Sequence, residues 1–323
     1  MAGTAQTRIG FAGAGIIATR HLGNLMGFED VKVVAFADPA IERARELAAR
    51  CGGKAYTGLA RMLDSEKLDA LYICIPPFAH GEPERAAIER GLPFFVEKPL
   101  GADLETAEAV AREVEAAGIA TATGYHWRYL DITEKARELL SKNPARLALG
   151  YWLDFTPPPA WWVKEELTGG QMVEQTTHIF DLARLLVGEV TKVYAAGSRI
   201  ERPAFPESDV FDVSTATLHF ASGALGSVSS TCLLNWPHRI GLHLFCEGMV
   251  IEMSEFDIMV DVGRGRPVTK AQGDPFVRED RDFIDAVQGK PNKIRAPYAE
   301  ALKTHRLATA AARSAREGLA IEL

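Results

Sequence analysis

The segment 169–181, GGQMVEQTTHIFD, places three titratable side chains at helical spacing. Glu174, His178 and Asp181 stand at i, i+4 and i+7, so on a helix they share one face. Such a face could bind a metal ion, hold an acid–base pair or meet solvent. Zinc usually requires more His or Cys ligands, which come from other segments of the chain. Arg184 follows Asp181 at i+3 and could form a salt bridge with it. These features disfavour a metal site and indicate a structural role for Asp181.

One helix, from Gly170 to about Leu186, is predicted to carry these groups. Its opposite face has an apolar stripe that would pack on the core of the protein. The stripe consists of Met172, Val173, Ile179, Ala183, Leu186 and Val187. The polar face is therefore free to point to solvent or into a cleft.

A second pair of charged residues, Glu97 and Lys98, follows a buried apolar run in the segment FVEKPLG. Pro99 keeps Lys98 out of helical geometry. Two charged residues in a loop do not by themselves indicate a functional site. However, ligands of open α/β sheets bind at the ends of buried parallel strands, which is where Glu97 and Lys98 lie.

The segment GFAGAGIIA has the G-x-G-x-x-A spacing of a dinucleotide-binding turn between a strand and a helix. Gly13 permits the tight turn, and Gly15 lets the backbone approach a pyrophosphate at the positive end of the helix that Ile16 and Ile17 begin. A glycine turn in a domain that has lost its ligand is the alternative. The strand before, the helix after and an acid at the end of the next strand favour a bound dinucleotide.

That acid is Asp38, in the segment FADPA. A carboxylate there accepts hydrogen bonds from ribose hydroxyls and repels a 2′-phosphate, which favours NAD over NADP. Arg43, farther along the chain, could weaken this preference for NAD over NADP.

A third ligand-facing segment, CIPPFAH, follows the fourth strand. Its position predicts that Ile75, Pro76, Pro77 and His80 line the cofactor groove. For His80 alone, a structural role at the start of a helix is the competing interpretation.

The order of elements predicts an α/β protein with two domains. Strands alternate with helices over residues 1–124, which indicates a doubly wound parallel sheet, the Rossmann fold. Residues 125–323 contain a few helices and many alternating strands, which indicates an α+β domain with a large, mostly antiparallel sheet. The C-terminal helix could pack back on the first domain.

Bulk composition excludes several classes of protein. The net charge of −7 and the pI of about 5.7 disfavour a nucleic-acid partner. No apolar run is long enough to span a bilayer, and the first residues lack a secretory or twin-arginine signal. Four cysteines without a CxxC pair indicate free thiols in a reducing compartment, so we predict a cytoplasmic protein without a membrane partner.

Taken together, GAGIIA, ADP, EKP and GGQMVEQTTHIFDL resemble the Gfo/Idh/MocA oxidoreductases over essentially the whole chain. The resemblance implies an N-terminal Rossmann domain and a C-terminal domain whose open-faced sheet commonly forms a homodimer or homotetramer. It also implies that the motif lysine, Lys98, lies near the nicotinamide and the substrate hydroxyl, often before a cis proline bond. The motif glutamate, Glu97, would lie near the nicotinamide ribose.

By the same resemblance, His178 is the proton acceptor, while relatives usually carry Asp at the position of Glu174. The longer Glu174 side chain could hydrogen-bond substrate or orient His178. Several relatives have Trp-Arg reaching toward the cofactor, where this chain has Trp162 and Val163. Trp162 is thus expected near the cofactor without the arginine contact.

The expected activity is hydride transfer between NAD and a secondary hydroxyl of a sugar, cyclitol or related polyol. Lys98 would stabilise the alkoxide, and His178 would act as acid and base. Two alternatives stay open: a glycosidase that uses bound NAD for transient oxidation and elimination, and a cofactor-binding regulator without turnover.

Overall fold

The computed structural model describes residues 6–323, which form two compact units. The first unit comprises the chain up to Gly101, Glu105–His126 and Asp274–Ala301. The second comprises Ala102–Leu104, Trp127–Gly273 and Leu302–Leu323. The chain therefore returns to the first unit after most of the second is complete. The prediction that no secretory signal begins the chain falls partly on residues 1–5, outside the described part.

Six parallel strands form the sheet of the first unit. They are β1 (Thr7–Ala12), β2 (Val31–Ala37), β3 (Lys54–Tyr56), β4 (Ala70–Ile73), β5 (Phe94–Val96) and β6 (Thr121–Thr123). Their order is β3-β2-β1-β4-β5-β6, so the chain reverses its direction across the sheet between β1 and β4. The predicted Rossmann sheet is confirmed, and ligands bind in such sheets beyond the carboxyl ends of the strands at this switch point.

Nine strands form the sheet of the second unit. They are β7 (Leu147–Phe155), β8 (Val190–Ser198), β9 (Val213–Phe220), β10 (Leu225–Leu234), β11 (Arg239–Cys246), β12 (Met249–Met253), β13 (Asp257–Asp261), β14 (Val268–Lys270) and β15 (Ile321–Glu322). Their order is β14-β13-β12-β11-β7-β10-β9-β8-β15, with β7 and β10 parallel and the other pairs antiparallel. The predicted mostly antiparallel sheet is confirmed.

Helices cover these sheets. They are α1 (Ile16–Leu25), α2 (Ile41–Cys51), α3 (Leu59–Ser65), α4 (Glu82–Ile88), α5 (Leu104–Ala117), α6 (Asp131–Lys142), α7 (Glu165–Thr168), α8 (Gln171–Glu174), α9 (Thr177–Val187), α10 (Pro275–Val287) and α11 (Tyr298–Glu317). Short 3-10 turns occur at Pro77–Ala79, His126–Tyr129 and Ala160–Val163. Among residues 6–323, no helix is both long and apolar enough to cross a membrane.

Each unit has its own apolar core. In the first, the sheet packs against α1, α2 and α10 through residues such as Phe11, Leu22 and Phe283. In the second, α9 and α11 cover one face of the sheet through residues such as Ile179 and Leu307. Helix α10 belongs to the first unit although it follows all but the last strand of the second sheet, which brings late residues beside α1.

Candidate active site

The glycine-rich turn between β1 and α1 has the geometry that its sequence predicts. Gly13 has φ +93°, and a Cβ there would lie 2.1 Å from the carbonyl oxygen of Cys74, so only glycine fits. At Gly15 a Cβ would meet open space, and Ile16, the first residue of α1, is 91% exposed. The amino end of α1 therefore presents its backbone N–H groups to a region that is open within this unit.

Asp38, at the end of β2, is buried and holds this turn in place. Its Oδ2 accepts a hydrogen bond from the Ala14 amide at 2.9 Å, and its Oδ1 accepts one from the Ala40 amide at 2.8 Å. A carboxylate oxygen has more than one lone pair, so both atoms can still accept from the hydroxyls of a ligand.

The segment after β4 borders the same turn. A Cβ at Gly13 would lie 3.1 Å from Ile75 Cγ2, and both Ile75 and Pro76 are half-buried. His80 is buried, with its Nδ1 2.6 Å from Glu84 Oε1. Its Nε2 is buried and has no hydrogen-bond partner within residues 6–323, which leaves one ring nitrogen for a ligand.

Glu97, the residue after β5, is buried and held from several directions. Its Oε2 accepts a hydrogen bond from the Lys98 amide at 3.2 Å, and its Oε1 lies 3.0 Å from His21 Nε2. The Lys98–Pro99 bond is cis, as the resemblance implies. Sequence reasoning missed His21, because a single histidine within a helix carries no local signal of its partners.

Gly124, directly after β6, makes room for this carboxylate. A Cβ at position 124 would lie 2.3 Å from Glu97 Oε1 and 2.6 Å from Glu97 Cδ. The glycine needs no unusual backbone angle, so its role is steric.

Substituting Gly124 with alanine should therefore lower the free energy of unfolding by about 1–3 kcal/mol, the usual cost of overpacking. Urea denaturation measures the change. Gly23→Ala is the matched control: Gly23 is exposed within α1, and a Cβ there would meet no neighbouring atom of the described chain within 4 Å. It should raise the stability by about 0.5–1 kcal/mol, since alanine favours a helix. Equal effects of the two substitutions would contradict the steric role of Gly124.

In the second unit, His178 lies in the first turn of α9 and is buried. Its imidazole stacks on the indole of Trp152 from β7, with ring centroids 5.7 Å apart and an interplanar angle of 17°. Gly150, also on β7, allows this close approach, because a Cβ there would lie 2.5 Å from Ile179 Cγ2. The position of His178 is thus defined by the contact between helix and sheet.

Glu174 is oriented by Trp162, whose Nε1 donates a hydrogen bond to Glu174 Oε2 at 2.7 Å. Trp162 is buried in the interior of this unit. The prediction of one helix from Gly170 to Leu186 is wrong, since α8 ends at Glu174 and α9 begins at Thr177. Between them the Thr176 amide bonds to the Gln171 carbonyl, one residue beyond the α-helical spacing, so Glu174 and His178 lie on separate helical turns.

Asp181 is structural, although through a partner that the sequence did not indicate. Arg128 donates two hydrogen bonds of 2.7 Å to its carboxylate, and the Thr304 hydroxyl donates a third. Arg184, the predicted partner, pairs with Glu189 at 2.7 Å. A buried bidentate pair fixes α9 against the segment that follows β6.

The predicted residues thus form two groups. The first unit holds Gly13, Gly15, Asp38, Ile75, His80, Glu97 and Lys98. The second unit holds Trp162, Glu174 and His178. In each group an acid is bonded to a fixed neighbour: the buried Asp38 to the glycine turn, and the half-buried Glu174 to Trp162.

Models of two known domain families match most of this chain. Residues 7–125 match the model for "Oxidoreductase family, NAD-binding Rossmann fold", and residues 145–252 match the "GFO/IDH/MocA C-terminal domain". Together the two matches cover more than half of the chain. This protein belongs to the Gfo/Idh/MocA oxidoreductase family.

Individual members of the family are similar over most of this chain. The myo-inositol 2-dehydrogenase of Thermotoga maritima is 28% identical over 305 residues, 92% of this chain and 86% of that protein. The scyllo-inositol 2-dehydrogenase (NAD(+)) of Bacillus subtilis is 28% identical over 241 residues, 73% of this chain and 70% of its own. The WlbA dehydrogenase of Bordetella pertussis, solved with NADH and UDP-GlcNAcA, has the same fold, with a TM-score of 0.84, 23% identity and coverage of 98% and 99%.

This Gfo/Idh/MocA oxidoreductase also contains a buried acid that its sequence does not reveal as unusual. Glu279, on α10, is 1% exposed, and neither carboxyl oxygen has a hydrogen-bond partner within the described residues. Burial raises the pKa of Glu279 well above its usual value; His21 opposes the shift, while the charges of Glu97 and Asp280 add to it. At pH values above the usual glutamate pKa, Glu279 thus stays protonated in the folded protein, while it is ionised in the unfolded chain.

The contribution of Glu279 to stability should consequently fall as the pH rises above the usual glutamate pKa, because this carboxyl keeps its proton in the folded state and loses it in the unfolded state. Glu279→Gln removes this penalty and should raise the free energy of unfolding at pH 7–8 by about 1 kcal/mol or more. The gain should vanish below about pH 4. Urea denaturation of parent and variant between pH 4 and 8 measures it, with the exposed Glu46→Gln on α2 as control. A gain that is the same at every pH would contradict the prediction.

Proposed function

We propose that this oxidoreductase binds NAD through its first unit and oxidises a secondary hydroxyl of a sugar, cyclitol or related polyol, or reduces the matching ketone. The observation that carries the proposal is the glycine turn at the amino end of α1, held by Asp38 and open at Gly15. The names of the two inositol 2-dehydrogenases support the substrate class.

The residues of this chain fit a dinucleotide, since the turn leaves space at Gly15 and His80 keeps a buried ring nitrogen for a ligand. The residues that would hold the cofactor are Gly13, Gly15, Ile16, Ile17, Asp38, Ile75, Pro76, His80, Glu97 and Lys98. Trp162, which was also expected near the cofactor, is buried in the second unit and would act through its hydrogen bond to Glu174. When bound, the nicotinamide supplies the site that accepts or returns a hydride.

Preference for NAD over NADP follows from Asp38. Its two oxygens are held by backbone amides, so the carboxylate has little freedom to move away from a ligand. A 2′-phosphate beside it would meet a fixed negative charge. Arg43 is exposed on α2 and would weaken this discrimination only in part.

Three side chains would act on the substrate. The imidazole of His178 takes the hydroxyl proton during oxidation and returns it during reduction. The ammonium of Lys98 places positive charge where the alkoxide develops. Glu174, oriented by Trp162, hydrogen-bonds a second hydroxyl or orients His178.

Calorimetry with NAD and NADP, followed by a screen of sugars and polyols at the NADH absorbance, tests the proposal. We expect binding of NAD at least tenfold tighter than NADP, the effect of one unfavourable charge contact, and steady NADH formation from at least one polyol. Binding of neither dinucleotide would contradict the proposal. Turnover of glycosides without net NADH would favour a glycosidase, and NAD binding without any turnover would favour a regulator.

Assembly and cellular location remain predictions. One face of the second sheet is exposed and carries large apolar side chains, among them Leu147, Leu149, Tyr194, Val213 and Leu225. Such a face supports the expected homodimer or homotetramer. All four cysteines are free thiols, which agrees with a cytoplasmic protein.

A further inference from the structure

A buried histidine lies behind the EKP motif, between two carboxylates. His21, on α1, has no exposed surface. Its Nδ1 lies 2.7 Å from Asp280 Oδ1, and its Nε2 lies 3.0 Å from Glu97 Oε1. Asp280 also accepts a hydrogen bond from Asn24 at 2.8 Å, so the aspartate is anchored independently of the imidazole.

Each ring nitrogen of His21 faces a carboxylate oxygen, and a carboxylate that is ionised can only accept a hydrogen bond. Protons on both nitrogens would satisfy the two contacts at once, so the geometry favours an imidazolium. Burial opposes its charge, but Asp280 and Glu97 outweigh that effect and raise the pKa of His21 well above its ordinary value. A charged hydrogen bond in a low-dielectric interior is stronger than one in water.

Other ionisable groups around the ring do not replace this pairing. Glu279 approaches from α10 and stays neutral, as its raised pKa indicates. Tyr72 of β4 faces the ring, with centroids 5.4 Å apart, and burial together with Asp280 raises its pKa well above normal. The phenol is thus uncharged, and the ion pairs of His21 are those with Asp280 and Glu97.

A divalent cation is the competing interpretation, since His21, Glu97 and Glu279 offer donor atoms within 4.8 Å of one another. His21 Nε2 and Glu97 Oε1 are however already at hydrogen-bond distance, and all three residues are buried. A buried imidazolium accounts for the observed contacts without an ion.

We infer that His21 is a positioning residue, which holds the Glu97 carboxylate in the orientation that the nicotinamide end of the cofactor requires. This inference rests on the proposed function. The contacts run from Asp280 on α10, through His21 on α1, to Glu97, which accepts a hydrogen bond from the Lys98 amide. The three residues come from distant parts of the sequence and meet behind the carboxyl end of β5.

A double-mutant cycle with His21→Gln and Glu97→Gln tests the inference through the Kd for NAD, measured by calorimetry. We expect each single substitution to weaken binding roughly tenfold or more, the value of a charge-assisted hydrogen bond. The double variant should match Glu97→Gln within about twofold, since no carboxylate is left to position. If His21→Gln does not fold, Asp280→Asn, which keeps the shape of the aspartate, takes its place in the cycle.

His305→Gln is the matched control: His305 is buried in the second unit, with Nε2 2.9 Å from the Asp103 carbonyl oxygen. It should leave the Kd for NAD unchanged even where it lowers stability. A purely structural role of His21 would instead give additive losses in the cycle, and that result would overturn the inference while leaving NAD binding by the parent intact.

Nitrogen NMR of ¹⁵N-histidine-labelled parent protein gives a readout that needs no cofactor. We expect both ring nitrogens of His21 to carry protons at pH 8, where an ordinary histidine is neutral. A neutral His21, or a stoichiometric metal ion that is lost in His21→Gln, would overturn the inference. A parent protein that binds neither dinucleotide would overturn the proposed function, and with it the purpose assigned to His21.

Discussion

Lys98→Ala should lower kcat for polyol oxidation by roughly 100- to 1,000-fold, the usual effect of removing a group that stabilises a developing oxyanion. In the proposed mechanism the ammonium acts when the hydroxyl loses its proton, whereas the glycine turn and Asp38 would supply most contacts to the cofactor. Binding of NAD should therefore weaken by no more than about tenfold. Steady-state kinetics at saturating NAD and calorimetry measure the two effects separately.

Lys32→Ala is the control for loss of a lysine in the same unit, because Lys32 is exposed on β2. It should leave both kcat and the Kd for NAD unchanged. If Lys98→Ala retained full turnover, Lys98 would have no catalytic role. If it lost NAD binding altogether, the lysine would serve chiefly to bind cofactor.

His178→Ala should lower kcat by roughly 100- to 10,000-fold, the range for removal of a general acid or base. The buried imidazole occupies a defined position against Trp152, so its loss should leave a cavity of imidazole shape, which the proposed mechanism places beside the substrate. Added imidazole should accordingly restore part of the rate in a saturable manner. Rates measured against imidazole concentration test this.

Two control variants test whether the loss of rate and its rescue by imidazole are specific to His178. His219→Ala, at an exposed position on β9, should neither lower kcat nor respond to imidazole. Trp152→Phe keeps an aromatic surface for the ring and should have a much smaller effect than His178→Ala. A loss of rate that imidazole does not restore at any concentration would argue that His178 supports the fold and does not transfer the proton.

Local patterns in the sequence were sufficient to predict several parts of the structure of this protein. The alternation of strands and helices identified the parallel sheet, because backbone periodicity is a property of neighbouring residues. The turn at Gly13 could be predicted because a positive φ requires glycine, and the acid at the end of β2 could be placed by its distance along the chain. The motif around Lys98 and Pro99 could also be recognised, because its residues are neighbours in the sequence.

Only the tertiary structure revealed the partners of these groups. His21 and Asp280 are 259 residues apart in the chain, and Arg128 and Asp181 are 53 apart. Nothing in the local sequence of either partner specifies such a contact, since it depends on how helices pack on the sheets. The same is true of the space that Gly124 leaves for a carboxylate 27 positions earlier, at Glu97.

The break between α8 and α9 has a similar cause. Residues from Gln171 to Val187 have continuous helical periodicity, and the sequence alone predicts one helix. In the folded unit, α9 must lie close to β7 at Gly150 while Glu174 meets the indole of Trp162. The sequence determined which residues could do chemistry, whereas packing determined that Glu174 is held by Trp162 and His178 by Trp152, because side-chain contacts between distant segments outweigh local helix preference.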